Sequence, residues 1–117
     1  MSRRHALLID DNRIWIRHRG HIFGPFDYEW SPDFCGAEFH YAGRKFGEFC
    51  SVDEIFVDSS ELGVPRTVSQ IAVVAIASTI CGVLAGEESS QRLERIQSRL
   101  IEFGFDRYLP VEIPKAG

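Results

Sequence analysis

Hydrophobic and polar residues alternate with a period of two through much of the first half of the chain, then recur every three to four residues through the second. That change of period predicts strands followed by helices. In RIWIRHRG, Ile14, Ile16 and His18 fall on one side and Trp15, Arg17 and Arg19 on the other. A turn at Arg19-Gly20-His21 leads back through Ile22 and Phe23, and Gly24-Pro25 interrupts the run. Proline has no N–H to give to a ladder, so Pro25 marks an edge, a bulge or a bend. Phe26, Tyr28 and Trp30 then share one face and Asp27 and Glu29 the other, until Ser31-Pro32-Asp33 supplies turn chemistry. Residues 35–50 predict a second hairpin turning at Ala42-Gly43 or at Gly43-Arg44. Either turn puts Cys35, Ala37, Phe39 and Tyr41 on a face with Phe46 and Cys50, and Gly36, Glu38 and His40 on the opposite face with Lys45, Gly47 and Phe49.

The second half reads as helices. Ser51 with Glu54 three residues on forms a capping box and predicts a short helix ending before Gly63. Pro65 can open a longer helix, and residues 67–86 carry no charge and are apolar all round, with Gly86 suited to the position just past its end. Twenty such residues at about 1.5 Å each could just cross a bilayer. Thr67, Ser69 and Gln70 in the first turn and the richness in Ala and Ser argue instead for a helix buried on every side, between the sheet, the final helix and a second subunit. Leu93, Ile96, Leu100 and Phe103 then fall at helical spacing with Arg92, Arg95 and Arg99 outside, and Gly104 ends that helix. RYLPVEI reads as a last short strand or an extended tail.

A sheet with one apolar face and a fully apolar helix must bury those surfaces against each other. The expected architecture is therefore α+β: an antiparallel meander of about four strands packed on a central apolar helix and an amphipathic C-terminal helix, in a single domain over residues 1–117. The aromatic row Phe26, Tyr28, Trp30 becomes the inner face of the sheet, each buried ring contributing on the order of 2–3 kcal/mol.

Composition narrows the function classes. With 44% hydrophobic and 26% charged residues, the chain is an ordinary globular one, and a net charge of −4 argues against nucleic-acid binding driven by overall charge. Arg3, Arg4, Arg13, Arg17 and Arg19 outnumber Asp10 and Asp11 at the N-terminal end, so a local basic patch with Trp15 and Phe23 could touch phosphates and bases; Lys45 and Lys115 are the only lysines, which weighs against it. ALLI is too short for a secretory core, and three cysteines without a CxxC pair suit free thiols in a reducing, cytoplasmic setting.

Chemistry-bearing patterns are sparse. Cys35, His40 and Cys50 lie in one hairpin, but the facing argument sends His40 away from both thiols, so no metal site and no cofactor are expected. Cys81, inside the apolar helix, reads as packing, and no nucleophile elbow surrounds any Ser or Cys. Asp27 and Glu29 form a carboxylate pair on one strand face, and a cleft there would make a small-molecule site or an enzyme; solvated outer-face carboxylates are the plainer account.

Two short stretches resemble known families. ALLIDDN resembles the first strand and acidic pair of response-regulator receiver domains, with Asp58 in EIFVD near the phosphoacceptor position and AIAST and YLPVEIPK echoing the later Thr/Ser and Lys positions. That resemblance implies Mg²⁺ on Asp10 and Asp11 and phosphate on Asp58, whereas residues 12–50 read as consecutive strands rather than alternating strands and helices. IWIRHRGHIFGPF resembles the opening of bacterial GYF-like modules, which implies binding of proline-rich peptides through Trp15, Phe23 and Phe26; no leucine-rich helix follows Phe26 here. The expected function is a non-enzymatic protein-interaction or structural module, self-associating as a homodimer through the apolar helix, with Trp15, Arg17, Arg19, His21, Phe23, Asp27 and Glu29 as candidate contacts for a ligand or partner.

Overall fold

The alternating segments pair into one sheet. A computed structural model describes residues 4–30, 36–51, 54–58 and 62–112. It contains β1 (Ala6–Asp10), β2 (Arg13–His18), β3 (His21–Trp30), β4 (Ala37–Tyr41), β5 (Arg44–Ser51), β6 (Glu54–Val57), α1 (Arg66–Leu84), α2 (Arg92–Glu102) and β7 (Pro110–Glu112). The strand order is β6-β5-β4-β3-β2-β1-β7. β1 to β6 form an unbroken antiparallel meander, and β7 pairs parallel with β1 at the far side. The chain thus leaves one edge of the sheet and reaches the other by way of both helices. In the two hairpin turns Arg19-Gly20 and Ala42-Gly43, both central residues have positive φ, the geometry that matches strand twist.

The architecture is α+β, as the change of period predicts, and the meander, expected at about four strands, extends to six. Ala6–Asp10 joins it as the partner of β2. Glu54–Val57 is a strand, not the short helix that the Ser51/Glu54 capping box predicts. The reason is local supply and demand: β5 offers an open edge, and Ile55 and Val57 are β-branched and suit a pleated strand better than a helical turn. The closing segment resolves as the strand β7.

Two bulges decide which side chains face inward. Ile14 opposes Phe26 and Ile16 opposes Phe23, so Gly24 and Pro25 together face Trp15 alone. Pro25 therefore sits in the central strand without breaking the ladder, because the extra residue is where a missing N–H does no harm. The bulge also turns Phe23 and Phe26 to the same, inner side. In β5 a second irregularity falls between the pairs Phe39↔Gly47 and His40↔Lys45, at Phe46. It shifts the phase of the strand, so Phe49 is buried at 2% exposure rather than on the polar face with Lys45.

The core is the inner face of this sheet closed by α1 and α2. Leu7, Ile9, Ile14, Ile16, Phe26, Ala37, Phe39, Phe46 and Phe49 pack against Val68, Ile71, Ala75, Ile76 and Ile80 of α1 and Ile96 and Leu100 of α2. Serines are admitted to this apolar helix because each hydroxyl donates back to a carbonyl: Ser69 to Arg66 at 2.8 Å and Ser78 to Val74 at 2.6 Å. Gly86, at φ 73°, closes α1, with Glu87 N–H donating to Gly82 and Gly86 N–H to Val83. The helix is not buried on every side, however. Val68, Ile71, Ala72, Ala75, Ile76 and Ile80 face the interior, while Gln70, Val73, Val74, Ala77, Cys81 and Leu84 are half-buried or exposed.

Candidate functional site

The opposite face of the sheet carries no described helix, and it holds four of the residues that the sequence singles out. Trp15 and Arg17 of β2 and Asp27 and Glu29 of β3 lie there. Arg19 is in the hairpin turn, His21 opposes His18 at the strand end, and Phe23 lies on the inner side against the core. The seven residues are therefore spread over two faces and a turn. Phe26 is fully buried, so the three aromatics implicated by the GYF-like resemblance do not share one exposed surface. Asp10 and Asp11 sit at the β1–β2 end while Asp58 follows β6, five strands away, so the receiver-like acids do not converge either. Cys35 lies outside the described residues.

Around Asp27 the outer face is a ladder of alternating charge. His40 sits 3.9 Å from Asp27 and donates to Glu38 at 3.2 Å, and Lys45 lies 3.5 Å from Glu38 and 3.4 Å from Glu48. The hydrogen bond from His40, opposed by desolvation and aided by Lys45, holds the Glu38 carboxyl below its ordinary range. Glu29 opposes Glu38 across the strands and is exposed. None of the described cavities is lined by Asp27 or Glu29. Chemically the ladder is a set of cross-strand pairs that fix register on a wet face. Among the described residues no group of three His, Cys, Asp or Glu side chains is placed to hold a metal ion.

A second cluster, invisible in the sequence, forms at the tip of the β2–β3 hairpin. The Tyr108 hydroxyl, brought in from beyond α2, donates to His18 Nδ1 when the imidazole is neutral. The His5 ring lies 5.5 Å from His18 and 5.1 Å from Tyr108, and the Arg19 N–H donates to His5 Nδ1 at 3.4 Å. Burial, then the charges of Arg19 and His5, push His18 below its ordinary value of 6.5. Burial pushes the Tyr108 hydroxyl up, against the pull of Arg19 and Arg107. A histidine with a depressed folded pKa favours the native state fully above its unfolded pKa and loses that contribution as pH falls toward the folded value. The expected result is a melting temperature that falls between about pH 7.5 and 5.5, a window above the carboxylate range. His18→Gln should flatten that slope in differential scanning fluorimetry, and an unchanged slope would remove His18 as its source.

A cavity of about 200 Å³ opens beside Tyr28, lined by Asn12, Ser78, Thr79, Gly82, Arg92 and Arg95 among others. Several of its polar groups are engaged within the fold. Arg95 pairs with Glu87, Arg92 Nη1 donates to the Asp11 carbonyl at 2.9 Å, and the Thr79 hydroxyl donates to Ala75 at 2.9 Å. Burial, opposed by Arg92, raises the Tyr28 hydroxyl.

An apolar stretch of surface runs along α1. A groove of about 590 Å³ is lined by Gln70, Val73 and Val74 of α1, by Val57 of β6 and by Phe103 after α2, among others. Val57 is 42% and Phe103 59% exposed. Toward the C-terminal end of the helix the same face carries Ala77 and Cys81, both half-buried, and Leu84, which is 60% exposed. α1 is long and apolar enough to cross a membrane by length and composition, yet half of that window is buried within the fold. Of the rest, Gln70, Val73, Val74, Ala77, Cys81 and Leu84 lie on this open face, while Thr79 and Val83 line the cavity beside Tyr28. Sequence periodicity places Phe103 in the core with Leu100; it escapes because the helix closes at Glu102 and Gly104 takes φ 84°, turning the chain. No protein-family model, curated protein or solved structure matches this chain.

Proposed function

We propose that this chain is a non-enzymatic protein-interaction module whose docking surface is the outer face of α1. The observation that carries the reading is the uncovered length of an uncharged helix: from Thr67 to Gly86 no charged residue interrupts a face on which Val73, Val74, Ala77, Cys81 and Leu84 meet solvent. Contiguous exposed apolar surface of this kind marks sites of association. The outer sheet face supports a different reading less well, since Asp27, His40, Glu38 and Lys45 pair among themselves and none of the described cavities is lined by Asp27 or Glu29. The odd cysteine count and lack of a CxxC pair support a reducing, cytoplasmic setting for the module on this reading.

A docking face must be dispensable to the fold that presents it. Ala77→Arg, at the middle of the face, is expected to leave cooperative urea unfolding within about 0.5 kcal/mol of the parent in dilute solution, as surface substitutions do. A loss above about 2 kcal/mol that does not depend on chain concentration would identify the face as packing and end the proposal.

A further inference from the structure

We propose that the tip of the β2–β3 hairpin is a binding site for a phosphate monoester, held by Arg19, Arg107 and a row of three histidines. The site stands on residues separate from the α1 face and does not depend on it.

Topology builds the row. β1 and β2 pair with Ala6 opposite Arg17, so His5, one residue earlier, comes alongside His18, and His18 in turn pairs with His21 of β3. Residues directly opposite one another project from the same side of a sheet. Three imidazoles thus stand abreast at one end of the meander. The backbone fixes that end: the Gly20 N–H donates to the Arg4 carbonyl at 3.1 Å and the Arg19 N–H to His5 Nδ1 at 3.4 Å. Tyr108 closes the row from the segment after α2, bonded to His18 and with its ring 5.1 Å from that of His5. Arg107 arrives beside it.

The charges gathered here have one sign. Arg4, Arg19 and Arg107 are exposed, and among the described residues no carboxylate forms an ion pair with them or with His5, His18 or His21. Asp106, next to Arg107 in the chain, is exposed and in no ion pair either. Arg19 and Arg107 both act on the Tyr108 hydroxyl, and Arg19 and His5 both act against a charge on His18. A shortage of acids is not the cause, since the chain has 17 acidic residues against 13 basic ones. Elsewhere they are paired: Glu38 and Glu48 with Lys45, Glu87 with Arg95, Glu102 with Arg99. Like charges packed without a counter-charge cost stability, and such a cost is kept where an outside group supplies the missing sign.

Donor chemistry selects the anion. Each guanidinium offers five N–H groups in a planar fork, and each imidazolium offers two. A carboxylate, with two oxygens and one charge, leaves most of them unused. A phosphate monoester brings three terminal oxygens and a charge of about −1.5 to −2 near neutral pH. None of the described cavities is lined by these residues, so the phosphoryl end docks on the surface while the rest of the molecule stays in solvent. Proton uptake by His18 reverses its bond with Tyr108: Nδ1–H donates to the hydroxyl oxygen, and the hydroxyl hydrogen is released to another acceptor. A bound dianion offsets the charges of Arg19 and His5 that oppose this proton, so binding and protonation reinforce each other. The ester loses its second charge below about pH 6, which places tightest binding near that pH.

Proton–carbon correlation spectra of the histidine rings of the full chain, titrated with methyl phosphate at fixed ionic strength, test the site. Saturable shifts of His5, His18 and His21 are expected, with a dissociation constant of about 1 mM near pH 6. At saturation the His18 titration should move up by at least about 0.5 pH unit. Arg19→Glu and Arg107→Glu, both at exposed positions, should each weaken binding about tenfold, whereas Arg99→Glu, the same charge change on α2, should leave it within about twofold. Shifts that chloride reproduces at equal ionic strength, or equal effects of Arg19→Glu and Arg99→Glu, overturn the site. Phosphatidylcholine vesicles containing about 20% phosphatidic acid identify the source of the phosphate. Co-sedimentation that methyl phosphate competes away supports the site with a lipid headgroup as its ligand, and saturable methyl phosphate binding without co-sedimentation supports it with a soluble ester. Vesicle binding without saturable methyl phosphate binding overturns the site, leaving only attraction to a charged surface. Binding of a single-stranded oligonucleotide in preference to methyl phosphate, falling steeply with salt, overturns it in favour of a nucleic-acid backbone.

Discussion

Phe26→Ala is expected to destabilise the domain by about 3–5 kcal/mol, whereas Trp30→Ala, four residues along the same row, is expected to cost less than about 1 kcal/mol. Phe26 is fully buried in the central strand. Its ring centroid lies 4.7 Å from that of Tyr41 and 6.0 Å from that of Phe46, and its strand neighbour is Ile14, itself in the core. Removing the ring takes apolar area from the interior and leaves a void at the meeting point of three strands, where a continuous sheet has little freedom to collapse. Trp30 is 43% exposed, and its ring contact is with Tyr28 at 5.7 Å, edge to face. Urea denaturation of the two variants at equal chain concentration separates them through the midpoint. Equal losses would mean that the whole row is core. The graded outcome would mean that the strand runs from the interior out to the rim.

That gradient shows where sequence reasoning holds and where it stops. Period-two alternation is enough to place Phe26, Tyr28 and Trp30 on one face and Asp27 and Glu29 on the other, because a strand admits no other arrangement. It cannot say how far along the strand the covering helix reaches. Phe49 shows a second limit: its facing is reversed by the bulge at Phe46, a single extra residue that alternation does not announce. Gly24-Pro25 does announce its bulge, through chemistry rather than pattern. For residues 54–57 the local signals conflict, since the capping box favours a helix and the open edge of β5 a strand; pairing wins because it satisfies a row of backbone groups at once. The candidate surface is half legible. An uncharged helix requires burial, but which of its sides the fold leaves open depends on where α2 and β6 land, and the His5–His18–Tyr108 cluster joins residues ninety and more positions apart. Contacts of that separation leave no periodic trace.

Gly24→Ala is the second substitution with a large expected effect, about 2–4 kcal/mol, and the source of that loss can be divided. Gly24 takes φ 151°, a conformation that a side chain strains to adopt. A Cβ at this position would also stand 2.7 Å from Trp15 Cδ1 and 2.9 Å from the Ile14 carbonyl oxygen. The indole can move and the carbonyl cannot, because it belongs to the backbone of the neighbouring strand. A double-mutant cycle with Trp15→Ala separates the two. If the ring clash dominates, Gly24→Ala should cost about 1–2 kcal/mol less in the Trp15→Ala background than in the parent. If backbone strain and the Ile14 carbonyl dominate, the cost should be the same in both. The first outcome would make Trp15 the reason for the glycine, with the outer face of β2 seated on the bulge. The second would place the requirement in the bulge itself, which is what turns Phe26 inward and lets a proline lie in the middle of a seven-stranded sheet.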